Sequence, residues 1–217
     1  MAQLQSDKQP VMSASSLDTL SLLGGNLCLD FANTVDPRLG DHGQDYLGSY
    51  TDLVQWSHYA GVFAEEERQN LLQIAMHHPT EANQTFERAI VLRETIYRVF
   101  EAVAHEISPQ QAYLDALRDV FAEAMLHASF VSTSEGFTCV WPGEDVLDCM
   151  LWPIAASAVE LLTSSKIGRV KQCPGAGDCG WLFLDTSKNG SRVWCSMEDC
   201  GSRVKMRRQY ARKRGSC

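Results

Sequence analysis

The sequence predicts an α+β fold: a mostly helical N-terminal domain with a small β hairpin, followed by a compact cysteine-rich module. Three observations predict it. Apolar residues recur at helical spacing through most of residues 16–165. Two β-favouring runs within residues 130–141 flank a Glu135-Gly136 turn, which indicates the hairpin. Four of the eight cysteines fall between positions 173 and 200, in a segment too short to build a large core.

The overall composition is that of a globular protein. Of the 217 residues, 45% are hydrophobic and 21% are charged, which excludes a disordered chain. No stretch approaches the roughly 18 apolar residues of a membrane span, so no membrane association is expected. The polar start of the chain lacks the apolar run of a secretory signal, and we expect a cytoplasmic protein with a disordered N-terminus over residues 1–15.

Charge divides the chain into two parts. Residues 1–165 contain 7 Lys and Arg against 23 Asp and Glu, a balance of −16. Residues 166–217 contain 12 against 4, a balance of +8. This change of sign predicts a domain boundary near residue 165 and a polyanionic partner for the basic part.

Most elements of the first part are predicted by periodicity and capping. The segment 27–35 fits a strand or a helix, and we favour the helix. Helices follow from Thr51 as N-cap to Tyr59, over 64–77 and over 80–106. A further helix is expected from Ser108-Pro109 to about residue 128, and an apolar one over 145–164, kinked at Pro153.

The cysteine cluster predicts a metal site. Cys173, Cys179, Cys195 and Cys200 are spaced Cys-x5-Cys-x15-Cys-x4-Cys, which suits tetrahedral Zn²⁺. We expect residues 181–185 and 192–195 to pair as a hairpin and Cys200 to open a helix, giving a treble-clef-like zinc finger. Two disulfides or four buried thiols are the alternatives, but so small a module favours a metal. With four thiolates and no open position, one structural zinc is expected.

The final helix predicts a nucleic-acid surface. On a helical wheel, Cys200, Val204 and Ala211 share a face that we expect to dock on the hairpin, and the other faces are basic. Cations there would contact phosphates, and Gln209 could read a base. RNA remains an alternative partner, since exposed aromatic side chains could stack on bases. The predicted contact residues are Arg203, Lys205, Arg207, Arg208, Gln209, Arg212 and Lys213.

The helical part offers a candidate ligand site. Asp30, Asn33, Arg38 and Arg93 are its notable polar residues. Arg93 lies on the apolar stripe of its helix, so it needs a partner, for which Asp30 and Asn33 are candidates. These four residues either bind a small-molecule effector or form a buried polar network that joins helices.

The cysteine module also resembles a known family. Residues 181–185, 192–197 and 200–203 are similar to the CGNR zinc finger of bacterial regulators, and residues 29–35 and 92–94 resemble motifs of the ABATE domain that precedes it. This resemblance implies a stress-induced transcription regulator. Ser202 replaces the family's Asn, and the first cysteine pair is one residue wider than usual.

Three classes of function are therefore compared. A DNA-binding transcription regulator with a regulatory helical domain is favoured. An RNA-binding or protein-interaction module built on the same zinc finger is the alternative. An enzyme is not expected, because the sequence contains no recognisable nucleophile–base pair, phosphate loop or HExxH motif.

Overall fold

Seven helices and three antiparallel strand pairs make up the described part of the chain. The computed structural model describes residues 19–39, 43–143 and 145–214, so the predicted disordered segment 1–15 lies outside it. The helices are α1 (Leu27–Ala32), α2 (Tyr50–Tyr59), α3 (Glu65–His77), α4 (Pro79–Ala104), α5 (Gln111–Leu126), α6 (Leu151–Thr163) and α7 (Ser202–Arg214). The paired strands are β1 (Val35–Asp36) with β2 (Gln44–Asp45), β3 (Ser129–Thr133) with β4 (Gly136–Val140), and β5 (Val170–Gln172) with β6 (Leu182–Leu184). The predicted α+β class is confirmed.

Helix α1 lies at the centre of the core. Leu29, Phe31 and Ala32 are completely buried, and α1 packs against α4, α6 and β6. Asn26 caps it, because its side-chain oxygen accepts a hydrogen bond from the Cys28 N–H at 3.3 Å. The helical interpretation of this segment is thus confirmed over Leu27–Ala32.

The predicted starts of α2, α5 and α6 are wrong, and capping explains the first of them. Ser49, not Thr51, is the N-cap of α2, since its hydroxyl accepts from the Asp52 N–H at 3.2 Å. Helix α5 begins at Gln111 rather than at Ser108-Pro109, and its cap, Gln110, makes no side-chain hydrogen bond. Local sequence therefore placed these helices correctly but not their first turns.

The predicted kink at Pro153 is also wrong. Helix α6 begins at Leu151, so Pro153 is its third residue. The first four N–H groups of a helix have no partner within the helix, so a proline there removes nothing. Pro79, similarly, is the first residue of α4.

The strand pairing of the cysteine module differs from the prediction. Strand β6 pairs with β5, with Lys171 opposite Phe183, and residues 192–195 form no strand. Side chains hold that segment instead: the Arg192 N–H donates to Asp185 Oδ2 at 2.9 Å, and the Arg192 guanidinium donates to the Trp194 carbonyl. The predicted hairpin of residues 181–185 with 192–195 is therefore not formed within the described residues.

The helical part and the cysteine module share one core. All three residues of β6 are buried, and β6 contacts both α1 and α4. Its unpaired edge is satisfied by Asn33, whose Nδ2 donates to the Leu182 carbonyl at 2.8 Å and whose Oδ1 accepts from the Leu182 N–H at 2.9 Å. One residue pair further, the Leu184 N–H donates to the Gly24 carbonyl at 2.8 Å. The module is therefore not an independent appendage.

None of the helices within the described ranges is both long and apolar enough to span a lipid bilayer.

Replacing Asn33 with alanine tests how much this junction contributes. Asn33→Ala leaves the buried N–H and carbonyl of Leu182 without partners, so we expect a loss of about 3 kcal/mol in the free energy of unfolding. Urea denaturation measures it. Asn83→Ala, which removes an exposed amide that bonds Glu87 on α4, is the matched control and should change stability little. Equal effects of the two substitutions would contradict this role for Asn33.

Candidate metal centre and basic helix

Cys173 and Cys179, the first two cysteines of the cluster, lie in the loop that joins β5 to β6. The Cys173 N–H donates to the Trp181 carbonyl at 2.7 Å, and the Gly180 N–H donates to the Cys173 carbonyl at 3.0 Å, which folds the loop back. The wider cysteine spacing is accommodated because Gly175 has φ +48° and lies so close to Cys179 that an added Cβ would fall 2.6 Å from its Cβ. The extra residue therefore bulges without disturbing the ligands.

Of the other two ligands, Cys195 precedes a turn that leads into α7, and Cys200 lies within that turn. Ser196 caps this turn, since its hydroxyl accepts from the Asp199 N–H at 3.1 Å. Residues Met197–Gly201 form a π-helical turn that contains Cys200, and α7 continues from it at Ser202. The helix begins before Cys200, three residues earlier than predicted.

Together the four cysteines have the geometry of a tetrahedral metal site. All four are buried, and their sulfur atoms lie within 4.8 Å of one another. Cys195 Sγ is 3.7 Å from both Cys179 Sγ and Cys200 Sγ. A tetrahedron with Zn–S bonds of about 2.3 Å has edges of roughly 3.8 Å, whereas a disulfide requires about 2.05 Å. The site thus fits one zinc ion and not two disulfides.

The thiols of the cluster shift one another's protonation. Hydrogen bonds with Cys179 and Cys195 lower the pKa of the Cys173 thiol, whereas the contact with Cys173 raises the pKa of Cys179. Arg203 Nη2 donates to Cys200 Sγ at 3.0 Å, and this bond raises the pKa of Arg203. A guanidinium at a ligand sulfur stabilises the thiolate form that binds zinc.

A buried carboxylate organises the backbone between the two cysteine pairs. Asp185 is completely buried and accepts hydrogen bonds from Lys171 Nζ at 2.7 Å, from the Ser187 hydroxyl at 2.6 Å and from the Arg192 N–H. Burial alone would raise the pKa of Asp185, but the bonds from Lys171 and Ser187 outweigh it and lower that pKa below its ordinary range. Asp185 therefore fixes the path from β6 to Cys195.

Almost all of helix α7 is exposed to solvent. Val204 is half-buried, but every residue from Lys205 to Arg214 is exposed, including Ala211. The predicted docking face of Cys200, Val204 and Ala211 is therefore wrong beyond the first turn. The cause is composition: seven of the thirteen residues of α7 are Lys or Arg, and there is too little apolar surface to bury.

The predicted nucleic-acid residues divide into two groups. Arg203 contacts the metal ligand Cys200, and Arg207 donates to the Ala176 carbonyl at 2.7 Å, so both connect α7 to the metal centre. The remaining predicted residues are exposed along the helix: Lys205, Arg208, Gln209, Arg212 and Lys213.

The predicted ligand residues Asp30 and Asn33 serve the shared core. Asp30 Oδ1 accepts from the Gly24 N–H at 2.7 Å, and Asn33 pairs with Leu182 as described above. Burial raises the pKa of Asp30 to about 6, although the bond from Gly24 opposes the shift. Neither residue contacts Arg93, so the expected partnership with that arginine is wrong.

The two predicted arginines form a network with two acids that the sequence reasoning missed. Arg93 is 3% exposed and donates to both carboxylate oxygens of Asp45 at 2.7 Å, and its Nε donates to Glu94 at 3.0 Å. Arg38 Nη1 donates to Glu94 at 2.8 Å, and its guanidinium lies 4.3 Å from the Tyr97 ring centroid. Glu94 follows Arg93 directly, but nothing in the sequence indicates that Asp45, 48 residues earlier, is the partner.

This network reaches the metal centre through the backbone of residues 38 and 39. The Arg38 N–H donates to the Cys179 carbonyl at 2.7 Å, and the Leu39 N–H donates to the Asp178 carbonyl at 3.0 Å. Trp181 Nε1 also donates to the Val35 carbonyl at 2.9 Å. The loop that holds two metal ligands is thus held by the helical part.

Comparison with known families agrees with both parts of this description. Residues 25–165 match the ABATE family, described as "Putative stress-induced transcription regulator", and residues 169–213 match the CGNR zinc finger. The chain belongs to the ABATE family and carries a C-terminal CGNR zinc finger with one structural zinc site. A search among curated protein sequences gives no match. Neither family is an enzyme family.

Zinc removal is expected to destabilise more than the finger. Elemental analysis should find about one zinc per chain, and Cys195→Ser should lower the melting temperature of the whole protein, because β6 and α1 share a core. Hydrogen exchange should show lost protection in α1 as well as β6. Cys139→Ser, which alters a half-buried cysteine outside the site, is the control. A metal-free chain with an unchanged C-terminal module would refute the structural role.

The raised pKa of Asp30 predicts a pH-dependent stability. Between its ordinary pKa of 3.8 and about 6, the folded protein binds more protons than the unfolded chain, so Asp30 lowers stability as pH rises. Asp30→Asn keeps an acceptor for Gly24 without a charge. We expect a higher melting temperature at neutral pH and no gain below about pH 4.

Asp185→Asn is the control of opposite sign. Because folding lowers the pKa of Asp185, its ionised carboxylate stabilises the fold at pH values above its pKa in the unfolded chain. This contribution is lost in acid. Asp185→Asn should therefore destabilise at neutral pH. If Asp30→Asn were destabilising at neutral pH, or stabilising equally at all pH values, this account of Asp30 would be incorrect.

Proposed function

We propose that this protein is a cytoplasmic DNA-binding transcription regulator whose exposed basic helix contacts the nucleic acid. One observation carries the proposal: α7 presents seven cations and no acidic residue on a helix that is exposed from Lys205 onward. An exposed cationic helix on an otherwise acidic protein is suited to releasing counterions from phosphates. Membership of a family described as transcription regulators supports the same function.

In this proposal, the zinc site fixes the orientation of α7 relative to the rest of the protein. Cys200 lies in the turn that begins it, and Arg203 and Arg207 connect its first two turns to the metal ligands and to the loop at Ala176. An α-helix with its side chains is about 10–12 Å in diameter, and the major groove is about 12 Å wide, so α7 fits within the groove. The metal stabilises the orientation and takes no part in chemistry.

The residues of α7 have different roles. Lys205, Arg208, Arg212 and Lys213 contact phosphates, and Gln209, which is also exposed, contacts a base edge. Arg203 and Arg207 contribute mainly by positioning, because protein groups already occupy their guanidinium groups.

The helical part is the regulatory part. Asp45 and Glu94 are about two-fifths exposed, whereas the side chains of Arg38 and Arg93 that they bind are nearly buried. An anionic small-molecule effector that competes with Asp45 or Glu94 for these arginines would disturb residues 38 and 39, which hold the metal loop. Arg38 and Arg93 are thus proposed to transmit an effector's binding to the finger.

Salt dependence of binding tests the proposed function. The full chain is used, because β6 is buried against α1. Affinity for duplex DNA should fall steeply with salt, and Lys205→Ala, Arg208→Ala and Lys213→Ala should each reduce the log–log slope by about 0.9. Gln209→Ala should instead change preference at one base by ~1–3 kcal/mol. Fluorescence anisotropy at several salt concentrations measures both.

The matched control is Arg118→Ala. Arg118 is an exposed arginine on α5 that pairs with Asp115 and Asp119, and its loss changes the net charge by the same amount. It should leave the slope unchanged. Tighter binding to single-stranded RNA than to duplex DNA would favour the RNA-binding alternative. Binding to neither at low salt would favour a protein-interaction module.

A further inference from the structure

The β3–β4 hairpin projects from the helical part with little cover. All five residues of β3 and the first three of β4 are exposed. Its base is tied to α5 by Trp141, whose Nε1 donates to the Ala124 carbonyl at 3.0 Å. A two-stranded hairpin standing alone in water is marginally stable. Additional contacts along the hairpin would therefore stabilise it.

One face of the hairpin is strongly apolar. Phe130 lies opposite Cys139 and Ser132 opposite Phe137, so the two phenylalanine side chains share a face. They are 71% and 81% exposed. Since a buried aromatic side chain covers about 150–250 Å², the pair offers roughly 300 Å².

The outer edge of β3 carries no feature that would prevent pairing. Residues 129–133 read Ser-Phe-Val-Ser-Thr, with no proline and no charge, and within the described residues β3 pairs only with β4. Natural edge strands usually carry lysine, proline or a bulge to block association. Antiparallel pairing of β3 with itself about a two-fold axis at Val131 would place Val131 opposite its own copy and Phe130 opposite Ser132.

The charge distribution favours a second copy of this chain as the partner. The protein has a net charge of −8, yet residues 126–141 contain only one charged residue, Glu135, which lies at the hairpin turn. Two equally acidic molecules can meet along this strand without opposing like charges. A strongly charged partner would find no opposite charge on it.

We propose that the protein forms a two-fold dimer through β3, giving a four-stranded antiparallel sheet in the order β4–β3–β3–β4. The same patch serves both subunits, and the apolar faces of the two hairpins become continuous. Each dimer would carry two α7 helices related by the two-fold axis.

Sedimentation of the zinc-loaded full chain tests the dimer. At about 50 µM, above a micromolar dissociation constant, the wild type should have twice the 24.1 kDa mass of one chain. Val131→Lys and Val131→Glu each oppose two like charges at the axis, so the dissociation constant of each should rise at least about tenfold. Mixing the two variants opposes lysine to glutamate and should restore the dimer.

The control places the same charge elsewhere. Val91→Lys alters an exposed valine on α4, outside the hairpin, and should leave the wild-type mass unchanged. A monomeric wild type at this concentration, or a Val131→Lys variant that dimerises normally, overturns the proposal. Failure of the mixed variants to associate, with both folded by circular dichroism, overturns the two-fold pairing at Val131.

Discussion

The burial of β6 against α1 is the constraint on which the rest of the structure depends. This three-residue strand is completely covered, with β5 along one edge and the side chain of Asn33 along the other. A primary amide has a donor and an acceptor side by side, so Asn33 completes the hydrogen bonding of Leu182 as a neighbouring strand would. The arrangement lets a very short strand lie in a helical core without unpaired backbone groups.

The junction between β6 and α1 also stabilises the metal centre. A module of about 50 residues has little core of its own, and zinc finger domains usually rely on the metal for folding. Here the metal loop gains a second support, because the backbone of Arg38 and Leu39 donates to carbonyls at residues 179 and 178. Zinc and the helical core therefore stabilise the same loop from opposite sides.

Electrostatics separate the two surfaces of the protein. In the acidic helical part, Asp45 and Glu94 neutralise the buried arginines. Helix α7, in contrast, exposes cations and contains no acidic residue. A buried arginine is stable only when its charge is paired, and an exposed one needs no such pairing. This difference leaves α7 as the part of the described surface best suited to a polyanion.

The sequence by itself determined the features that depend on short stretches of neighbouring residues. Cysteine spacing identified the metal ligands, apolar periodicity found the helices, and the Glu135-Gly136 turn predicted the β3–β4 hairpin, because each pattern is complete within a few dozen residues. The family resemblance added both domain types. The start of α2 was misplaced because Ser49 and Thr51 are both residue types that cap helices.

Only the tertiary structure decided which distant groups meet. The sequence permits β6 to pair with residues on either side. In the fold it pairs with β5, and the segment at Arg192 is held by the side chain of Asp185 instead. Arg93 requires an acidic partner, but only the fold brings Asp45 to it. Helix α7 illustrates the same limit: a helical wheel shows which residues share a face, but only the packing decides which face is buried. Contacts between remote residues depend on the whole core, and no local pattern encodes them.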